Sequence, residues 1–330
     1  IKGGILTNYQ TNNGLFGNSV NMGGNKKGII WDIRYSNKQA HAYQNKFDGY
    51  VFNAGFKESN IAAILGINRA WGYSHLNFSS FYLSPGIIEG ERDAVSGQFV
   101  KPIALNDSTE DKVLAANADF KSYQSFIAFQ KIHHYKLVVN NHFILGKNSL
   151  KATLGWQQNQ RQEYDNILKP NEYGLFFNMN TFNYRLKYNL EEKKNLNFSF
   201  GVNGMYQNSQ NKGVEFLIPD YHLFDIGAYT LAKKTWEKWT LSGGLRYDLR
   251  NEKGYSLWVD ENEVRTNSPD ANSEELFAAF HSNYHGISGS IGATYQFNDK
   301  YYTKLNFSKG FRAPNIAEIS AHGVHEGTVQ

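Results

Sequence analysis

Along several stretches of the chain, apolar and polar side chains alternate strictly. In WTLSGGLRYDLR (239–250), Trp239, Leu241, Gly243, Leu245, Tyr247 and Leu249 share one register, and Thr240, Ser242, Gly244, Arg246, Asp248 and Arg250 share the other. Residues two apart lie on one face of a β-strand, so the pattern predicts a strand with an apolar face and a charged or hydroxylated face. The stretches LNFSFGVNGMY (196–206), TFNYRLKYNL (181–190), HYKLVVNNHFIL (134–145) and SLKATLGW (149–156) repeat it. None has the three- and four-residue apolar spacing of a helix.

A strand of a soluble sheet also has one wet face, so alternation alone does not decide the class. Length separates them further. Spans such as 173–190 and 132–146 exceed the ~5–6 residues of a common soluble strand. They suit a tilted strand that crosses a bilayer and continues beyond it. The connections alternate too. Short turns rich in Lys, Asn and Gly fall at 25–28, 146–149, 191–195, 233–238 and 298–300, and long connections at 84–131, 165–172, 209–219 and 252–283. Short turns on one rim and long loops on the other is the layout of an outer-membrane barrel. The expected fold is all-β, an antiparallel transmembrane β-barrel with about fourteen strands in this chain. Aromatic pairs at strand ends (Trp71 and Tyr73, Trp236 and Trp239, Tyr301 and Tyr302) fit interfacial girdles. No repeat or linker interrupts the chain, so 1–330 reads as one barrel domain without an internal boundary.

Composition agrees. Aromatic residues make up 15%, with 21 Tyr and 23 Phe, while 30 Gly and 6 Pro favour strands and tight turns. The mean hydropathy of −0.55 would read as soluble on a helix-based scan. A barrel keeps its mean hydropathy low because lipid-facing and lumen-facing residues alternate. The absence of cysteine excludes disulfides, Cys-ligated zinc and thiol catalysis. The net charge of +4 is evenly spread and offers no nucleic-acid footprint. The chain opens on Ile1 and runs at once into strand-like GGILTNYQ, so both ends are expected to cut through structure, as in a piece of a longer protein.

Candidate chemistry is sparse. There is no phosphate-binding loop, nucleophile elbow or His-Glu-x-x-His, and nothing calls for a catalytic group or resident cofactor. NMGGNKKG (21–28) lies between two strands and reads as a turn. Glu89, Glu91 and Asp93 in GIIEGERD read as a solvated acidic loop. His133 and His134 are adjacent and must face opposite sides of a strand, while His134 and His142 are too far apart to share an ion. His322 and His325, with Glu318 and Glu326 nearby, have a spacing that would hold a metal or haem iron if the loop curls; chemistry alone favours an ordinary polar loop.

Three stretches carry a resemblance. KGFRAPNIAEISAHGVHEGT (309–328) is similar to the Phe-Arg-Ala-Pro box of TonB-dependent outer-membrane receptors, here Phe311, Arg312, Ala313 and Pro314. GGLRYD (243–248) resembles a strand signature of their barrels, and GYSHLNFSSFYLSPGIIEGERD (72–93) an early hairpin strand with its loop. The chain thus resembles the barrel portion of that family, of the kind found in Bacteroides-like bacteria. The resemblance implies a 22-stranded barrel around an N-terminal plug. Neither the plug nor the energy-coupling box is expected in this chain, and about eight strands are missing by subtraction. It also implies outer-membrane lipid and TonB as partners. The implied ligand is an iron complex (a siderophore or haem) or cobalamin, and such a fragment should not transport alone.

Haem receptors of the family use histidines on the iron, which makes His322 and His325 ligand candidates together with Arg312. A carbohydrate importer of the same architecture and a passive porin-like channel are the alternatives. The strand ending at Lys309 is expected to leave the bilayer there and enter a long extracellular loop, in which Arg312 and Pro314 either shape the turn or touch ligand.

Overall fold

A computed structural model describes residues 1–320. His322 and His325 lie outside the described residues. Thirteen strands form one sheet, each antiparallel to its sequence neighbour. We number them β1 (Lys2–Gln10), β2 (Leu15–Lys26), β3 (Ile29–Ala40), β4 (Phe56–Arg69), β5 (Gly72–Pro85), β6 (Phe129–Leu145), β7 (Asn148–Tyr164), β8 (Phe176–Asn189), β9 (Leu196–Asn211), β10 (Tyr221–Trp236), β11 (Trp239–Gly254), β12 (Phe280–Gln296) and β13 (Tyr302–Lys309). The count is one below the expected fourteen. The sheet does not close: β1 and β13 are its two edges, and every residue of both is exposed.

Two-residue turns join β2 to β3, β6 to β7 and β10 to β11, as the short Lys/Asn/Gly segments predicted, and another, Ala70–Trp71, which the sequence did not mark, joins β4 to β5. Lys27 and Glu237 take positive φ values of 52° and 45° within these turns. The opposite rim carries the long connections. The segment 41–55 belongs with them, although its periodicity did not mark it. Its residues pack against the 86–128 connection around Val51, Phe52 and Phe99, with Phe120 and Phe126 at the edge. Asn53 ties the two loops together, donating to the carbonyls of Ile87 (3.1 Å) and Phe126 (3.1 Å) and accepting from the Phe126 N–H (3.0 Å). Within the long connections small strands form hairpins of their own, Val100–Asn106 with Thr109–Leu114, and Leu257–Val259 between Arg265–Thr266 and Glu274–Phe277.

Burial runs inside out compared with a soluble sheet. On β11 the apolar register is the open one, with Leu245 at 61% exposure and Leu249 at 45%. The polar register is enclosed: the Arg250 side chain is 20% exposed and Glu252 is fully buried. In water this would be costly on both faces. In a bilayer the apolar face meets lipid, and the polar face lines the lumen. The register carries the apolar face across neighbouring strands: Leu137 lies opposite Trp156, Trp156 opposite Phe182, Phe182 opposite Tyr206, and Tyr206 opposite Phe224.

Candidate functional site

The lumen face of β10 to β12 holds the densest set of charged groups. Arg250 grips Asp225 at two points, Nε to Oδ1 at 2.7 Å and Nη2 to Oδ2 at 2.8 Å. Its Nη1 reaches Glu252 Oε1 at 3.3 Å and the carbonyl of Pro314 at 3.1 Å. The second Glu252 oxygen has no partner among the described residues. Beside this group, Arg246 holds Asp248 (Nε to Oδ2, 2.7 Å) and reaches Asn203 Oδ1 at 2.7 Å. Gly227 lies opposite Asp248 on β10. A Cβ there would run into the Arg246 guanidinium and the Asp248 carboxylate, so the missing side chain makes room for the pair.

The Phe-Arg-Ala-Pro segment folds onto this wall. Lys309 pairs with Gly289, halfway along β12, so the last strand stops in mid-wall. This corrects the expectation that it leaves the bilayer at Lys309 for an extracellular loop. The reason is local: Gly286 and Ser288 present almost no side chain to the lumen, and the chain turns in to cover them. The Phe311 N–H donates to Ser288 Oγ at 3.0 Å, and its ring fills the place a Gly286 side chain would take. Ala313 and Ile316 are buried, Ile316 against Tyr221 and Leu223. A short helix, α1 (Ile316–Ser320), follows.

Arg312 points away from the wall. Its guanidinium makes a two-point pair with Glu318, 2.8 and 2.7 Å. Glu318 also accepts the Asn315 N–H (2.8 Å), while Asn315 Oδ1 accepts the Glu318 N–H (2.9 Å), the reciprocal bonds of a capping box. The bond from Arg312, helped by the Asn315 N–H, pulls the exposed Glu318 carboxyl down to about 2.

Lower on the lumen wall, Lys151 lies opposite Lys187, Lys187 opposite Gly201, Gly201 opposite Tyr229, Tyr229 opposite Arg246, and Arg246 opposite Ser288. A cavity of about 590 Å³ opens over this row, lined by Arg185, Lys187, Asn203, Tyr229, Arg246 and Ser288. Lys151, Arg185 and Lys187 have no carboxylate partner among the described residues. The patch is therefore cationic and hydroxyl-rich. A larger apolar groove, about 790 Å³, lies on the opposite face where Val202 and Ala228 leave a dip between bulkier neighbours. It faces lipid and carries no chemistry.

The other candidates are structural. Glu91 pairs with Lys112 at 2.7 Å, which pushes the lysine up, and Arg92 pairs with Asp48 at 2.6 Å. Asp93 bonds Ser96, whose hydroxyl holds its carboxyl below the usual range. No group of metal-binding side chains occurs among the described residues. His134 reaches Asn159 on the lumen face while His133 meets Tyr82 on the other, as adjacency required. Sequence reasoning saw Arg246, Asp248 and Arg250 as one charged face but assigned them no site. Their two-residue spacing was the available signal. Asp225, 25 residues before Arg250 in the chain, gave none.

An inside-out antiparallel wall with short turns on one rim and packed loops on the other defines a transmembrane β-barrel segment. The chain belongs to the TonB dependent receptor-like β-barrel family, whose model matches residues 2–329. This is a family of the outer membrane, and its members are transporters, not enzymes. Similar solved structures include the ferric-catecholate import receptor Fiu from E. coli K12 (8% identity, TM-score 0.65, 93% of this chain and 53% of that one). The haemophore receptor HasR of Serratia marcescens, solved with HasA and heme, is 11% identical with a TM-score of 0.63, covering 98% of this chain and 47% of that one. The copper transporter OprC is 12% identical with a TM-score of 0.66, over 96% and 46%. The chain spans about half the length of these structures. No curated protein matches it by sequence.

Proposed function

We propose that this chain is part of the barrel of an outer-membrane receptor that takes up an iron complex, a siderophore or haem, by active transport energised through TonB. The observation that carries this reading is the cationic lumen row of Lys151, Arg185, Lys187 and Arg246, three of whose members lack a carboxylate partner among the described residues. A passage lined this way favours ligands that carry carboxylate, catecholate or propionate groups. Cobalamin and neutral carbohydrate, the other ligands considered, gain less from it. Arg312 is a second anion contact in this reading, released when a ligand group replaces Glu318. His322 and His325 remain proposed iron or haem ligands of the segment that follows. The test is uptake of labelled ferric siderophore and of haem by cells that depend on the full-length receptor, with Arg185→Gln and Lys187→Gln combined. Retention of full uptake for both ligands would remove the lumen row from the proposal.

A further inference from the structure

β1 is the strand whose own sequence fixes its placement least. Gly3 lies opposite Met22, and the row continues through Ile33, Ala63, Phe78 and Leu137, so Gly3, Ile5, Thr7 and Tyr9 form its outward set. A shift of one residue would turn Gly4, Leu6, Asn8 and Gln10 outward instead, because side chains alternate between faces. Each set holds one aliphatic side chain, Ile5 or Leu6, and one glycine; Tyr9 against Gln10 is the main difference. Strands so lightly patterned slip unless a turn pins them. Every residue of β1 is exposed, and among the described residues it is laddered on one side only.

The turn that must pin it is unlike the other connections on its rim. Residues 11–14 are too short for a core of their own, and two long connections close on them from either side. From 41–55, the His41 N–H donates to the Asn13 carbonyl at 3.0 Å. Gln44 exchanges two bonds with the Asn12 side chain: Asn12 Nδ2 donates to the Gln44 carbonyl at 2.9 Å, and the Gln44 N–H donates to Asn12 Oδ1 at 3.0 Å. From 86–128, the Tyr123 hydroxyl donates to the Gly14 carbonyl at 2.7 Å. Gly14 sits at φ 56°, and a Cβ there would run into the His41 ring and the Tyr123 hydroxyl. Those two rings meet edge to face, 5.5 Å apart. Because 41–55 and 86–128 share the core around Phe52 and Phe99, the grip is anchored to β3–β6 and not to β1 itself.

We infer that this loop pair is a register clamp for β1. It holds residues 12–14 in one position, and that position, more than the pattern of β1, selects which face of the strand meets lipid. The register of β1 in turn sets that of any strand laid along its free edge. The clamp is independent of the transported ligand. The test uses the full-length receptor assembled in the outer membrane, with cysteine pairs placed in this chain, which has none of its own. Ile5 lies opposite Val20, so Ile5→Cys with Val20→Cys cross-links in the observed register. Leu6 lies opposite Ser19 on the other face, so Leu6→Cys with Val20→Cys cross-links only after a shift of one residue. The first pair should dominate in the parent background. Combining Asn12→Ala and Tyr123→Phe removes three of the clamp's bonds and should raise the yield of the second pair relative to the first about tenfold. An unchanged ratio overturns the inference. So does a general loss of folded barrel, read by heat-dependent mobility, in which the surviving barrel keeps the parent ratio. If the double variant does not assemble, Tyr123→Phe alone is read by hydrogen exchange. Faster exchange confined to β1 and its turn supports the clamp; protection equal to the parent, or lost evenly across the sheet, overturns it.

Discussion

The ring of Phe311 occupies the space that Gly286 leaves empty on the lumen wall. The contact explains why the Phe-Arg-Ala-Pro segment leaves its strand in mid-wall. Replacing Gly286 with Ala should force the ring off the wall, at a cost of about 1–3 kcal/mol for the docked segment. Hydrogen exchange of the Phe311 amide, which is bonded to Ser288, reads the displacement. Protection equal to that of the parent protein would argue that the ring makes no such contact.

Arg250 ties β10, β11 and the docked segment together through Asp225, Glu252 and Pro314. Arg250→Ala leaves two enclosed carboxylates without their cation. The expected loss is about 3 kcal/mol, with the outer half of β11 losing exchange protection before the rest of the wall. Arg250→Lys should recover only part, because an ammonium cannot reproduce the two-point grip on Asp225. Unfolding in detergent, followed by the heat-dependent mobility of the barrel, measures both.

The Arg312–Glu318 pair sets a pH dependence. The folded Glu318 carboxyl titrates near 2, below the ordinary 4.5. A depressed carboxyl stabilises the fold above its unfolded value and loses that contribution as pH falls through its folded one. The cap on α1 should therefore be fully formed above pH 4.5 and weaken progressively from there toward pH 2. A fluorine label on Phe311, followed by magnetic resonance, should shift over that window, and Glu318→Gln should abolish the pH response. A shift centred near neutral pH would contradict the assignment.

Neutralising Arg185 and Lys187 together should lower uptake of an anionic iron complex at low ionic strength by about tenfold, and by less at 1 M salt, where the Debye length is only about 3 Å. Folding should be unaffected, since neither side chain has an ion-pair partner to lose among the described residues. Salt-independent loss would point to a specific contact instead of a field.

Isolated from the strands that would pair with β1 and β13, the chain should require detergent. Both edges present unpaired backbone groups, and the outward face is apolar. A monodisperse, folded monomer without detergent, seen by light scattering, would contradict this.

The wall was legible in the sequence because its code is local. The alternation in 239–250 gave the strand and its two faces, strand length and the alternation of short and long connections gave the membrane reading, and the short Lys/Asn/Gly segments gave turns of one rim. The Phe-Arg-Ala-Pro box was visible as a motif, but its direction was not. Whether the chain after Lys309 runs outward or folds back depends on Gly286 and Ser288, some twenty residues earlier on another strand. The Asp225–Arg250 pair was hidden for the same reason: register between strands, and not spacing within one, brings the two together. The connection at 41–55 was missed because its core, Val51 and Phe52, completes itself only against Phe99 in a different loop.

The halt of β13 opposite Gly289 also divides the wall mechanically. Below that point β12 is laddered on both sides. Above it, among the described residues, the stretch from Phe280 to Ser288 is laddered only to β11. The segment that covers the lumen there is held by the Phe311 ring and its N–H on Ser288, by the Arg250 guanidinium on the Pro314 carbonyl, and by buried Ala313 and Ile316. None of these contacts is a rung of the sheet, so losing them leaves the ladder of the wall unbroken.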